Sequence, residues 1–155
     1  MITLEIPDRD ALRVSHVVFD FNGTIALDGK LVEGVARRMR KLADMASVHV
    51  LTADTFGTAA AECEPTGAAV ETFPAGAAAP EKRAIVEALA GGVVCIGNGF
   101  NDAEMFDAAD LSIAIVGGEG AWAGLIAHAD IVVTDVCDAC DLLLNPQRLK
   151  ATLRW

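Results

Sequence analysis

Positive charge is scarce in this chain. Lys and Arg total 12 against 22 Asp and Glu in 155 residues, a formal net charge of −10 at pH 7. So acidic a surface excludes a bulk nucleic-acid binder, because phosphate backbones are neutralised by Lys and Arg. A phosphate-bearing ligand must then be met by a local site. No apolar run reaches the ~18 residues of a membrane span. Residues 1–7 lack a basic region leading into an apolar stretch. That sets aside a secretory signal and makes the cytoplasm the expected compartment. Cys63, Cys95, Cys137 and Cys140 sit in an apolar chain and read as reduced. Cys137-Asp-Ala-Cys140 has CxxC spacing, yet no second pair or His cluster completes a zinc site. Both cysteines fall with Leu144 on the inner face of a terminal helix, as core residues.

Apolar residues make up 53% and charged residues 22%, the composition of a globular protein. The length suits one domain over residues 1–155, and no internal repeat or composition shift divides it. Residues 2–6 alternate like an edge strand, which 12–14 can pair with. Strands follow at 16–21, 48–51, 68–73, 93–96, 111–116 and 131–133. Helical spacing marks 32–46, 55–63, 80–90, 102–109, 120–128 and 137–153, with Pro80 in a first turn. Pro74–Pro80 reads as a loop. Strands apolar on both faces, alternating with helices, imply a mostly parallel sheet covered on both sides. The expected fold is a Rossmann-like three-layer αβα sandwich with a short N-terminal β extension.

In open parallel sheets, ligands bind outside the carboxyl ends of the strands. Asp20 stands at one such end, in Asp20-Phe-Asn-Gly-Thr24. Thr52 stands at another, and Gly97-Asn-Gly-Phe-Asn-Asp102 at a third. Lys82 lies near a helix start, where a cation opposes the helix dipole unless it faces an anion. Each has a plain reading when taken alone. Asn22-Gly23 is a hairpin signal, so Asp20 can be a strand residue near a turn. Thr52 and Asp102 can cap helices, and Lys82 can be solvated. It is the combination, in this chain order, that points to chemistry.

That combination resembles the haloacid dehalogenase superfamily of phosphotransferases. Its four motifs are a strand-end Asp in D-x-D-x-T, a strand-end Ser/Thr, a Lys near a helix start, and an acidic G-D-x-x-x-D type loop. The resemblance runs from about residue 16 onward, and is nearest to the phosphorylation domain of P-type ATPases, with its G-D-G-x-N-D loop. It implies that Asp20 is a nucleophile forming an aspartyl phosphate. It implies that Thr52, Lys82 and backbone N–H groups near Gly23 hold the phosphoryl oxygens. It implies Mg²⁺ at Asp20, the Asn22 backbone carbonyl and Asn98, with Asp102 as the remaining nearby carboxylate.

Two positions depart from the pattern. Asn22 stands where most phosphatases of the superfamily carry an acid/base Asp, and an amide does neither job. Turnover is therefore expected to be slow. Asn98 stands where a metal-binding Asp is expected, so one negative charge is missing. Only residues 25–31 separate Thr24 from Val32, too few for the cap domain that the superfamily usually inserts there. The domain reads as capless, a form that takes large substrates or covers its site by oligomerising.

Three function classes follow. The first is an Mg²⁺-dependent phosphohydrolase or phosphotransferase acting on a phosphorylated small molecule or macromolecule. The second is a weakened relative that acts by binding a phosphorylated ligand or a protein partner. The third is a receiver-like signalling domain, which expects an early acidic pair; Asp8 and Asp10 precede a poor first strand. The remaining features read as structural. Arg37, Arg38, Arg40 and Lys41 form a solvated helix face. His16, His49 and His128 lack metal spacing. Gly117-Gly-Glu-Gly120 is a turn that can border the site. Trp122 and Trp155 are packing residues.

Overall fold

The computed structural model describes residues 1–54 and 57–154. The strands are β1 Ile2–Leu4, β2 Leu12–Asp20, β3 Ala26–Leu27, β4 Lys30–Leu31, β5 Ser47–Thr52, β6 Ala69–Thr72, β7 Gly92–Gly97, β8 Leu111–Ile115 and β9 Ile131–Val133. The helices are α1 Val35–Ala43, α2 Ala59–Cys63, α3 Ala78–Ala88, α4 Ala103–Ala108, α5 Val136–Leu144 and α6 Pro146–Leu153. The main sheet runs β6-β5-β2-β7-β8-β9, all parallel, and β1 pairs antiparallel with the start of β2. This is the expected αβα sandwich. Strand β2 lies between β5 and β7, so its carboxyl end, Asp20, emerges in the middle of the sheet.

Alternation along β2 splits the core. Val17 and Phe19 join the larger layer with Val35, Met39 and Leu42 of α1 and Cys140 and Leu143 of α5. Val18 faces the smaller layer with Val86 of α3 and Met105 and Phe106 of α4. Each such side chain contributes about 1.5–3 kcal/mol on burial. Phe19 and Phe21 are both fully buried and bracket Asp20, fixing where it leaves the sheet.

Several boundaries differ from the sequence reading. The hairpin turns at Asp28 and Gly29, both with positive φ (52° and 78°), and not at Asn22-Gly23. Such a pair suits the tight turn between two short antiparallel strands. Asn22-Gly23 instead makes a compact loop in which Phe21 O accepts the N–H groups of Thr24, Ile25 and Ala26. The β3–β4 flap is pinned to α2 and its cap: Glu62 accepts Leu31 N–H at 3.0 Å, and Thr58 donates to Gly29 O at 2.8 Å.

Helix α3 starts at Ala78, so part of the expected loop 74–80 is helical. Alanine favours helix, and Pro80 is tolerated because the first four N–H groups have no helical partner. Lys82 therefore stands beyond the first turn. Residues 123–128 form a 3₁₀ turn where an α-helix was expected, with Gly124 inside it. The terminal helix is two helices, because Pro146 lacks an N–H and drives Asn145 to φ −129°, ψ 74°. Leu143 is buried with Cys137 and Cys140, while Leu144 is only partly so. Arg38 is not simply solvated: it bonds Asp141 of α5 at 2.9 Å. His16, midway along β2, and His49 of β5 bond each other at 3.1 Å, away from the strand end at Asp20. The expected first turn of the 55–63 helix includes residues 55 and 56, which lie outside the described ones, as does Trp155.

Candidate active site

Four strand ends converge on one cavity of about 350 Å³. Asp20 and Asn22 enter it after β2, Thr52 from β5, Asn98 to Asn101 after β7, Glu119 after β8, and Lys82 from α3. The four expected motifs therefore meet in space.

Lys82 is the hub. Its ammonium group donates to Asp20 Oδ1 at 2.6 Å, Asp102 Oδ1 at 2.7 Å and Asn101 Oδ1 at 3.1 Å. It is 1% exposed, so the solvated reading fails. Burial works against its charge, but the two carboxylates outweigh that and hold its pKa above the usual lysine range. Asp20 moves the other way for a buried acid. Burial, and then the Asp102 charge across the lysine, push its pKa up to about 6 against the pull of Lys82 and Thr24.

The Thr24 hydroxyl lies between Asp20 Oδ2 at 3.1 Å and Asn98 Oδ1 at 3.2 Å, and donates to either. Asn98 donates through Nδ2 to Gly120 O at 3.1 Å. Thr52 Oγ1 accepts Asp54 N–H at 2.9 Å, which leaves its own O–H as the donor on a cavity wall. Asp102, fully buried, turns Oδ2 onto the N–H groups of Asn98 (3.0 Å) and Gly99 (2.9 Å). It orders the loop and clamps Lys82, so both of its oxygens are already engaged. A Cβ at Gly97 would stand 2.5 Å from Asp102 Oδ2, so this clamp requires glycine there.

Gly23 plays a different part from the one expected. Its N–H already donates to Ala26 O at 2.7 Å. Its φ is 82°, and a Cβ there would overlap the Asn98 amide and the Glu119 carboxylate. It supplies room, not a phosphate donor. The sequence alone places Glu119 only in a turn that can border the site. The signal was available: a glycine-rich loop at a strand's carboxyl end. Trp122 packs, as expected, and does so at the site. It is half exposed and meets Phe100 edge to face, ring centroids 4.8 Å apart, beside the cavity.

Among the described residues, no cluster of three or more His, Cys, Asp and Glu side chains stands ready for a metal. The cavity offers mixed oxygen donors instead: the Asp20 carboxylate, Asn98 Oδ1 and Asn22. Asn22 Oδ1 is buried without a hydrogen-bond partner. Hard oxygen donors of this kind fit Mg²⁺.

No protein-family model matches the chain. The uncharacterized protein MJ0073 of Methanocaldococcus jannaschii is 55% identical over 62 residues, which is 40% of this chain and 67% of that protein. Protein MJ0072 of the same organism, also uncharacterized, is 49% identical over 39 residues, 25% of this chain and 89% of its own. The phospholipid-transporting ATPase NEO1 of Saccharomyces cerevisiae is 46% identical over 52 residues, 34% of this chain but only 4% of that protein. Among solved structures, the cobalt-bound deoxy-D-mannose-octulosonate 8-phosphate phosphatase (YrbI) of Haemophilus influenzae superposes with a TM-score of 0.68 at 15% identity, over 92% of this chain and 94% of that one. The 3-deoxy-D-manno-octulosonate 8-phosphate phosphatase of Moraxella catarrhalis, in complex with magnesium, phosphate and KDO, gives 0.67 at 14% identity, over 89% and 90%. The chain belongs to one family with the two Methanocaldococcus proteins, and it has the fold of the haloacid dehalogenase superfamily in a form without a cap domain.

Proposed function

We propose that this domain is an Mg²⁺-dependent phosphohydrolase or phosphotransferase that works through an aspartyl phosphate at Asp20. One observation carries the reading. A buried carboxylate at the end of the central strand shares a network with Lys82, Thr24 and Asn98, and opens to a cavity walled by Thr52. The magnesium and phosphate ions in the Moraxella structure of the same fold support it.

In the first step an Asp20 oxygen bonds to phosphorus while the bond from phosphorus to the leaving oxygen breaks. The leaving oxygen takes its proton from solvent, since an amide at position 22 is not an acid at neutral pH. Water then attacks the acyl phosphate, releasing inorganic phosphate and freeing Asp20. Thr52 and Lys82 hold the phosphoryl oxygens. All three Lys82 protons are engaged, so an incoming oxygen displaces Asn101 or Asp20 from one of them. Asp20, Asn22 and Asn98 would hold Mg²⁺, which would supply charge neutralisation to the phosphoryl group. The substrate is a phosphorylated small molecule or macromolecule.

Intact mass after acetyl phosphate and Mg²⁺ tests this, beside an Asp20→Asn control and a count of released phosphate. One phosphoryl group gained by wild type and none by the control is the expected result. Asn22 favours a second reading, in which the domain binds phosphorylated ligands without turnover. Absence of both label and release would leave that reading in place.

A further inference from the structure

Asn98 removes a carboxylate from the cavity, and Asp102 is spent on Lys82 and its own loop. With Asp20 ionised and Lys82 protonated, those groups sum to one net negative charge. A divalent cation calls for more. We infer that Glu119, from the turn after β8, supplies the second carboxylate of the cation site. This rests on the reading of Asp20 as an Mg²⁺-dependent nucleophile.

Three observations converge on it. First, the turn that carries Glu119 is fixed onto Asn98. Gly120 N–H closes on Gly117 O at 2.9 Å, Asn98 Nδ2 donates to Gly120 O at 3.1 Å, and Trp122 N–H donates to Asn98 O at 2.9 Å. Second, the Glu119 carboxylate reaches over Gly23. It stands 2.5 Å from where a Gly23 Cβ would be, beside the Asn98 amide and on the wall of the cavity that holds Asp20. Third, among the described residues no hydrogen bond or ion pair engages it, although Arg and Lys neutralise other surface acids here.

The pairing also explains why position 98 is an amide. Asn98 uses Nδ2 to hold Gly120 O and keeps Oδ1 toward Thr24, whose hydroxyl also meets Asp20. An Asp there would face the Gly120 carbonyl without a proton and stand against Glu119. The amide lets the charge sit at 119 instead, and Gly23 leaves the space for it. Glu119 thus brings the local charge to two, matching Mg²⁺, with oxygen as its ligand atom.

The test is Mg²⁺ titration of the metal-free full chain by calorimetry. The variants are Glu119→Gln, Asp20→Asn and, as a control for bulk charge, the exposed Glu64→Gln. Loss of a group that only supports a metal ligand typically weakens binding ~10–100-fold, and loss of a ligand carboxylate is expected to do at least as much. Glu119→Gln is expected to weaken Mg²⁺ at least about tenfold, with Glu64→Gln unchanged. The metal-free unfolding midpoint of Glu119→Gln stays at the wild-type value, because Glu119 is exposed and unpaired. Moving the carboxylate back, as Asn98→Asp with Glu119→Gln, is expected to restore affinity. If Glu119→Gln binds like wild type while Asp20→Asn does not bind, the inference is overturned and the proposed function stands. If wild type binds no Mg²⁺, both fall.

Discussion

Lys82 Nζ lies 2.7 Å from Asp102 Oδ1, and neither side chain is more than 2% exposed. The same ammonium group holds Asp20 at 2.6 Å. Removing the charge that joins two buried carboxylates leaves both uncompensated, at a cost of about 3–5 kcal/mol. Lys82→Met is expected to lose stability on that scale in urea unfolding. Adding Asp20→Asn should recover part of it, since one of the two facing carboxylates is then gone. A loss of under ~1 kcal/mol, the range of an exposed pair, would show that solvent reaches this lysine.

The strands and their polar ends were legible because a parallel strand buried on both faces is apolar until it stops. Val17-Val-Phe19 runs into Asp20, and Val93 to Ile96 run into Gly97-Asn98. That rule found Asp20, Thr52 and the 97–102 loop. It does not say which way a carboxylate turns, so Asp102 was expected near the metal and is found on Lys82. Glu119 stayed out of view because its place depends on the turn folding back over Gly23. The break at Asn145 was legible, since the residue before a proline avoids helical ψ.

Asp20 sets a pH dependence with a defined sign. Its folded value, about 6, lies above the ordinary 3.8 through burial and then Asp102. The folded protein thus holds the proton more tightly than the unfolded chain does. The stabilisation from this group is complete below about pH 3.8 and fades as pH rises through about 6. The stability of metal-free wild type minus that of Asp20→Asn should therefore fall across this range. Labelling by acetyl phosphate should fall on the acid side as the nucleophile protonates. Raising Mg²⁺ should move that limb to lower pH, because the cation favours the ionised form. Equal pH profiles for folding of the two proteins would contradict this account.

The four thiols are core atoms, not reagents. Burial pushes Cys63 up to about 11, and pushes Cys95, Cys137 and Cys140 upward as well. Cys137 Sγ donates to Glu33 O at 3.4 Å and does not face a metal. Thiolate is the reactive and metal-binding form. Native protein is therefore expected to react with an aromatic disulfide reagent only on the unfolding timescale, with all four thiols appearing in denaturant. Chelators should leave the unfolding midpoint of magnesium-free protein unchanged. Rapid modification of a Cys137–Cys140 pair, or zinc purified with the chain, would overturn this.

In the proposed mechanism Asn22 is the position expected to limit turnover. Its Oδ1 is buried with no hydrogen-bond partner, and the residue lines the cavity that holds Asp20. A carboxyl group at that position would be partly desolvated, and burial raises an acid's pKa toward neutrality. Such a group gives its proton to the leaving oxygen and then takes one from the attacking water. General acid–base catalysis of this kind is worth about 10²–10⁴-fold. Asn22→Asp should accordingly speed loss of the phosphoryl group from Asp20 by a factor in that range. Decay of pre-labelled protein after removal of acetyl phosphate, followed by mass, measures it directly. Because the substitution adds a negative charge close to Asn98 and Glu119, its rate gain should be largest at saturating Mg²⁺. An unchanged decay rate at saturating Mg²⁺ would mean that a group other than residue 22 already activates the water.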